Sequence, residues 1–315
     1  MRRATLLDHF HECGFVVIEG LLDPILDLQP LIDDYSALLD DLARRWYAER
    51  LLPCTHDHLP FEQRFLEVIG EYRRPYTQYF DISLPLGRTT AQTPIHLSKA
   101  VFDLLRNVRL LDAVETIIGP EILSNPIQHV RIKLPERLLS NDQQEGLATK
   151  TGWHQDQGVA LPEADASEIL TVWVAVTDAT EENGCLCVVP GSHRAGLITH
   201  CRDKQIPDAL VGEGSVSLPM ERGSVLLMHR RTQHASLPNR SDGIRWSFDL
   251  RYQPIGQPTG RPMFPGFIAR SRRDPTRVLD DDRTWANLWY EARCRLSQGE
   301  TPEFSRWTGA DPVCA

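Results

Sequence analysis

His154 and Asp156, inside the stretch TGWHQDQG, mark the one place in the chain where a histidine stands two residues before an aspartate. On an extended backbone, side chains at that spacing leave the same face. An imidazole nitrogen and a carboxylate oxygen so placed can share a metal ion, with a third ligand supplied from elsewhere. The same pair also suits an ordinary hydrogen-bonded strand end. Several histidines compete for the third position, among them His193, His200, His229 and His234. The segment after His234 favours it over the others. A hairpin turning on Asn239 and Arg240 would set His234 opposite Arg245, and directly opposed residues of an antiparallel pair project side by side. A dianion could then touch the metal at one end and the Arg245 guanidinium at the other.

The segment from 245 to 252 alternates. Arg245, Ser247, Asp249 and Arg251 share one parity, and Trp246, Phe248, Leu250 and Tyr252 share the other. A half-buried strand with its polar face in water has the same pattern. If helices cover the apolar face instead, Arg245 and Ser247 point into a polar interior.

The elements that must hold these residues can be read from the texture of the chain. From 122 to 254, short apolar runs (IQHVRIKL, ILTVWVAV, CLCVV, SVLLMH and IRWSFDLRY) are divided by SND, EENG, PGS, ERG and PNRSDG. That punctuation predicts an antiparallel β-sandwich or barrel. Ahead of it, a strand at 15–18 ends at Gly20. Asp23 and Pro24 then suit the N-cap and first position of a helix running to about Arg50. Further helices are predicted at 61–72 and 97–118, the second interrupted near Asn107 and closed by Gly119 and Pro120. Beyond 255 lie a Pro- and Gly-rich stretch and an amphipathic helix near 282–297. The connection 193–219 exceeds a routine loop and is a candidate active-site lid. Within it His193 reads as structural. Gln157, Arg131 and Lys133 are candidate contacts to a substrate or acidic co-substrate, and the Arg-rich 271–277 reads as solvated surface.

At 315 residues, 41% apolar, 24% charged and with a net charge of -9, the chain can bury a substantial core and is neither disordered nor fibrous. The acidic balance points away from nucleic acid and anionic membrane, and toward a small-molecule substrate. No apolar run has the length of a spanning helix or a signal peptide, so a cytoplasmic location is expected. The seven cysteines are odd in number, dispersed and without a CxxC pair. They are read as reduced thiols, mostly in packing, rather than as disulfides or a structural zinc site. Oligomeric state has no signature in the sequence.

The ordered set W-H-Q-D (153–156), TVWVAVTDATEENGCLCVVPGSHR (171–194), ERGSVLLMH (221–229) and H-A-S-L-P-N-R-S (234–241), followed by Arg245, resembles the phytanoyl-CoA dioxygenase family of iron(II)/2-oxoglutarate-dependent oxygenases. The likeness runs from about 12 to 254 and is strongest from 153 to 252. It implies a mainly β fold with α-helices, a double-stranded β-helix (a jelly-roll, cupin-like barrel) covered by N-terminal helices. It implies Fe(II) held by His154, Asp156 and His234, with 2-oxoglutarate and O2 as co-substrates. Arg245 would pair with the far carboxylate of 2-oxoglutarate and Ser247 would support it, while Trp173 and His129 match positions that line the co-substrate pocket. A carboxylate at 156, where related halogenases carry a small residue, favours hydroxylation or another oxidation of a small molecule. The chain is read as one catalytic domain, 1–315: helical support mainly in 1–120, a β core from about 122 to 254, and an extension over 255–315. The competing readings are a barrel that binds metal and ligand without turnover, and a zinc hydrolase using the same triad.

Overall fold

The computed structural model describes residues 3–144 and 148–314. Helix α1 (Arg3–Cys13) leads into strand β1 (Phe15–Ile18), and four further helices come next: α2 (Gln29–Ala48), α3 (Phe61–Tyr72), the single turn α4 (Thr77–Phe80) and α5 (Lys99–Leu105). Asp23 caps the chain's entry into α2, its carboxylate accepting the Ile25 and Leu26 N–H groups at 2.8 and 2.9 Å. One turn of π-helix (Pro24–Leu28) lies between that cap and α2. Asn107 breaks the next helical stretch by capping α6 (Val108–Ile118), and Gly119, with a positive φ of 84°, ends it. Along α2 the buried residues Leu31, Tyr35, Leu39, Leu42 and Trp46 form one stripe facing the sheet.

The strands are β2 (Glu121–Ser124), β3 (His129–Lys133), β4 (Leu170–Ala175), β5 (Leu186–Val188), β6 (Val216–Leu218), β7 (Val225–His229), β8 (His234–Ser236), β9 (Arg245–Pro254) and β10 (Phe267–Ser271). Between β3 and β4 lies one helical turn, α7 (Asp156–Val159), and α8 (Asp282–Gln298) closes the order. The larger antiparallel sheet runs β1-β7-β4-β9-β2-β10, with β3 also paired to β9; the smaller is β6-β5-β8. The two sheets face each other across Phe15, Trp173, Leu186, Val188, Leu226 and Met228. They have the architecture of a cupin-like jelly roll, although hydrogen bonds do not close them into a continuous barrel.

Strand β9 is buried on both faces. Trp246, Phe248, Leu250 and Tyr252 join the helices in the main apolar core, while Arg245, Ser247 and Arg251, on the other parity, lie buried between the sheets. The helices therefore turn what would be a solvated polar face into an interior one.

Three expectations need correction. His234 and Arg245 are not partners in a hairpin: β8 pairs β5 in the small sheet, and β9 lies in the large one opposite β3 and β4. The chain crosses between sheets at 237–244, where the Asn239 side chain donates to the Lys133 and Gly243 carbonyls. Asp156 is not on an extended segment, since it opens α7. The cysteines are not all thiols either: Cys201 and Cys314 form a disulfide, and five others are free. Their separation of 113 residues hid the pair, because no short spacing announces it. Neither α1 nor β10 is among the elements expected from the sequence.

The disulfide closes a long loop, which restricts the unfolded chain. Cys314→Ser should therefore lower stability to urea by about 2–4 kcal/mol. Thiol titration of unreduced, denatured wild type should count five thiols rather than seven. Seven would remove the disulfide. No described helix is long and apolar enough to cross a membrane.

Candidate metal centre and co-substrate cavity

His154, Asp156 and His234 come together in the cleft between the sheets, each buried, with one ligand atom apiece lying within 4.8 Å of the others. A backbone bridge does much of this. His154 and His234 exchange N–H to carbonyl bonds at 2.9 and 3.0 Å, which sets the two imidazoles with centroids 4.0 Å apart and planes tilted by 48°. Each ring donates its Nδ1–H to the carbonyl two residues before it, Gly152 at 2.9 Å and Thr232 at 3.0 Å. A carbonyl can only accept, so Nδ1 carries the proton and Nε2 presents its lone pair to the site. Burial, then the neighbouring His234 ring, pushes His154 down to about 3, leaving that lone pair free at neutral pH.

Asp156 enters the same space from the start of α7. Burial opposes its ionisation, but the Arg251 guanidinium, the two histidines and the Thr171 hydroxyl outweigh this and hold the carboxyl below its usual range. Arg251 donates to one carboxylate oxygen and Thr171 to the other. Each oxygen keeps a further lone pair, so the carboxylate can still bind a metal. Two imidazole nitrogens and one carboxylate form a ligand set that suits a divalent iron.

The segment carrying the first two residues is held by the chain from Gly196 to Ile206. His200 accepts the Gln155 N–H at 2.9 Å, and the Gln155 side chain binds Gly196 and Arg231 carbonyls and the Ile198 N–H. The two glycines of TGWHQDQG explain themselves here. A Cβ at Gly152 would strike the Gln205 side chain, and one at Gly158 the His200 ring. His200 is thus a support of the site rather than a member of the triad. His193 bonds the His11 carbonyl well away from it.

Beyond His234 lies a small cavity of about 10 Å³ whose lining includes Trp173, Ser236, Arg245 and Asp249. Arg245 is fully buried, and its Nη1 donates to Ser247 Oγ at 2.6 Å. Its Nε and Nη2 have no hydrogen-bond partner among the described residues. A buried guanidinium with unanswered N–H groups is costly unless an anion completes it. Burial, and then Arg131, lowers its pKa accordingly. The Trp173 ring lies 5.4 Å from the guanidinium carbon. Ser247 holds Arg245 rather than lining the cavity. Arg131 is bound to Asp249 at 2.9 Å, and buried Lys133 donates to Ser236 Oγ at 2.7 Å. His129 lies elsewhere: its ring pairs with Asp81 at 2.9 Å and faces a second cavity of about 480 Å³ that also reaches His154. Gln157 turns away from the triad, toward Asp165, Arg230 and Arg231.

Sequence reasoning overlooked Thr171, Arg251 and Ser236. Ser236 was findable, since it stands two residues after His234 on the same strand. The pairing of Thr171 and Arg251 with Asp156 depends on strand register, Thr171 lying opposite Arg251 across β4 and β9, which no local pattern reveals.

The model of the phytanoyl-CoA dioxygenase (PhyH) family matches residues 10–247. The peroxisomal phytanoyl-CoA dioxygenase of Rattus norvegicus is 26% identical over 312 residues, 92% of this chain and 81% of the relative. Matches to four other curated relatives span only 36% to 50% of their length. Among solved structures, the non-heme monooxygenase ThoJ shares the fold with a TM-score of 0.60 at 20% identity, covering 93% of this chain and 96% of ThoJ. The epimerase SnoN, in complex with Fe3+, alpha ketoglutarate and nogalamycin RO, gives 0.52 at 23% identity, covering 82% and 87%. The family match spans most of the sequence and every residue of the triad, and the chain belongs to the phytanoyl-CoA dioxygenase (PhyH) family.

Proposed function

We propose that the protein is an iron(II)- and 2-oxoglutarate-dependent dioxygenase that oxidises, in the simplest case hydroxylates, a C–H bond of a small-molecule metabolite while 2-oxoglutarate becomes succinate and CO2. The observation that carries this reading is Arg245, which lines the same small cavity as His154 and His234 and has buried N–H groups with no hydrogen-bond partner among the described residues. A hydrolase using those three ligands has no use for such a group, and a mere metal site has none either.

In this reading His154 and His234 hold iron through Nε2, and Asp156 holds it as a carboxylate. When bound, the iron supplies activation of O2 coupled to oxidation of 2-oxoglutarate. Arg245 receives the far carboxylate of 2-oxoglutarate through its free N–H groups, in the forked geometry guanidinium provides. Ser247 fixes the fork, Trp173 covers it, and Ser236 offers a hydroxyl along the wall. The larger cavity, on the other side of His154, is left for the substrate. One apolar core with residues from Leu6 to Phe304 supports reading the chain as a single catalytic unit.

Anaerobic addition of iron(II) and then 2-oxoglutarate should raise a weak visible metal-to-ligand band, and air should then yield succinate. Protein that holds iron but shows no band on saturating 2-oxoglutarate would refute the reading. Thr171→Val, which removes one hydroxyl from the Asp156 carboxylate at nearly constant volume, should weaken iron binding by about tenfold or more. Direct iron titration checks this.

A further inference from the structure

The larger cavity has an apolar wall formed by Pro85, Leu86, Ile127 and Val159, and a turn at its edge carrying Asp203, Lys204 and Gln205. The turn is tight. Cys201 N–H meets the Gln205 carbonyl at 2.7 Å, Lys204 N–H meets the Cys201 carbonyl at 2.8 Å, and Lys204 adopts φ of 64°. That left-handed conformation is unusual for a residue with a Cβ and persists where the surroundings impose it. Here they do. Cys201 is tied to Cys314, the Gln205 side chain lies against Gly152, and Ile206 N–H binds the Trp153 carbonyl at 2.7 Å. The turn thus has a set position relative to the segment bearing His154.

The charged groups facing this cavity are almost all committed. Arg131 is bound to Asp249, Arg251 to Asp156, and His129 to Asp81. The Asp81 carboxylate also accepts the Ile82 and Val130 N–H groups, and that of Asp203 accepts the Gln205 N–H. Lys204 and Lys150 stand apart: neither ammonium has a carboxylate partner among the described residues. Lys204 is only partly exposed, and burial followed by the nearby Arg261 pushes it down to about 8. A half-buried ammonium without a counter-charge is a cost that an anionic ligand removes.

We propose that the substrate is an amphipathic oxyanion, a carboxylate or phosphate on an apolar body, with its headgroup on Lys204, Lys150 at the rim, and its body along the apolar wall toward His154. The proposal rests on the oxygenase reading and narrows its substrate class. Lys204 is then a specificity residue, held in place by the disulfide-anchored turn.

The test uses the full chain loaded anaerobically with iron(II) and 2-oxoglutarate. It is titrated with decanoate, decyl phosphate, methyl decanoate and decylamine, reading perturbation of the visible band and, after admission of air, succinate. Binding of decanoate or decyl phosphate about tenfold or more tighter than the ester and amine is expected, and which of the two binds tighter identifies the headgroup. Lys204→Gln should erase that preference and Lys204→Arg should keep it. The proposal is overturned if neither anion binds, if ester or amine binds as well, or if Lys204→Gln retains the preference. Absence of the band before any probe is added would instead count against the oxygenase reading.

Discussion

Asp156→Ala should weaken iron binding by about a hundredfold or more and take turnover with it. Asp156 is the one carboxylate in the cluster, so the variant would leave two imidazoles to hold a dication. It would also strand Arg251, 5% exposed and bound to Asp156, as a buried cation beside the metal position. Both effects act in the same direction. The loss of one ligand, on the scale of structural metal sites divided among their ligands, is about 3 kcal/mol, or about a hundredfold in affinity. The stranded guanidinium adds repulsion to that. His234→Ala should behave similarly, because its Nε2 is aimed by the Thr232 carbonyl and no other described histidine joins the cluster. Iron titration, followed by succinate formation, checks both variants. An iron affinity within a few-fold of wild type in either would remove that residue from the ligand set.

Arg245→Leu should separate the two halves of the site, leaving iron binding near wild type while 2-oxoglutarate binds about 2–5 kcal/mol more weakly. The loss is large because the position is fully buried: no water can replace the guanidinium facing the far carboxylate. Arg245→Lys should recover part of the affinity through charge alone, but lose the bidentate geometry. The concentration of 2-oxoglutarate that half-saturates the visible band reports this directly. An unchanged half-saturation in the leucine variant would take Arg245 out of the co-substrate site.

Much of this site was legible in the chain, for local reasons. The spacing of His154 and Asp156, and the parity that puts Arg245 and Ser247 on one face, are properties of short backbone segments. So are the Asp23 and Asn107 caps, each a side chain reaching its own neighbours. The placement of His234 near Arg245 was read correctly for a mistaken reason. The two share a cavity because one hangs from each of two facing sheets, not because they oppose each other in a hairpin. His129 shows the reverse case. Its strand was readable, but whether it faced the cavity beside Arg245 or the larger one depended on Asp81, 48 residues earlier, which captures its ring.

By itself, then, the sequence determined which residue types could bind a metal and an anion, the alternation of β9 and the helical cover. These rest on periods of two and 3.6 residues and on capping. The tertiary structure alone decided how they combine. It laid Thr171 and Arg251 against Asp156, left two Arg245 nitrogens without a partner among the described residues, and joined Cys201 to Cys314 around the turn that presents Lys204. Each is a contact between segments distant in sequence, set by strand register and by burial between two sheets, and no local pattern encodes either.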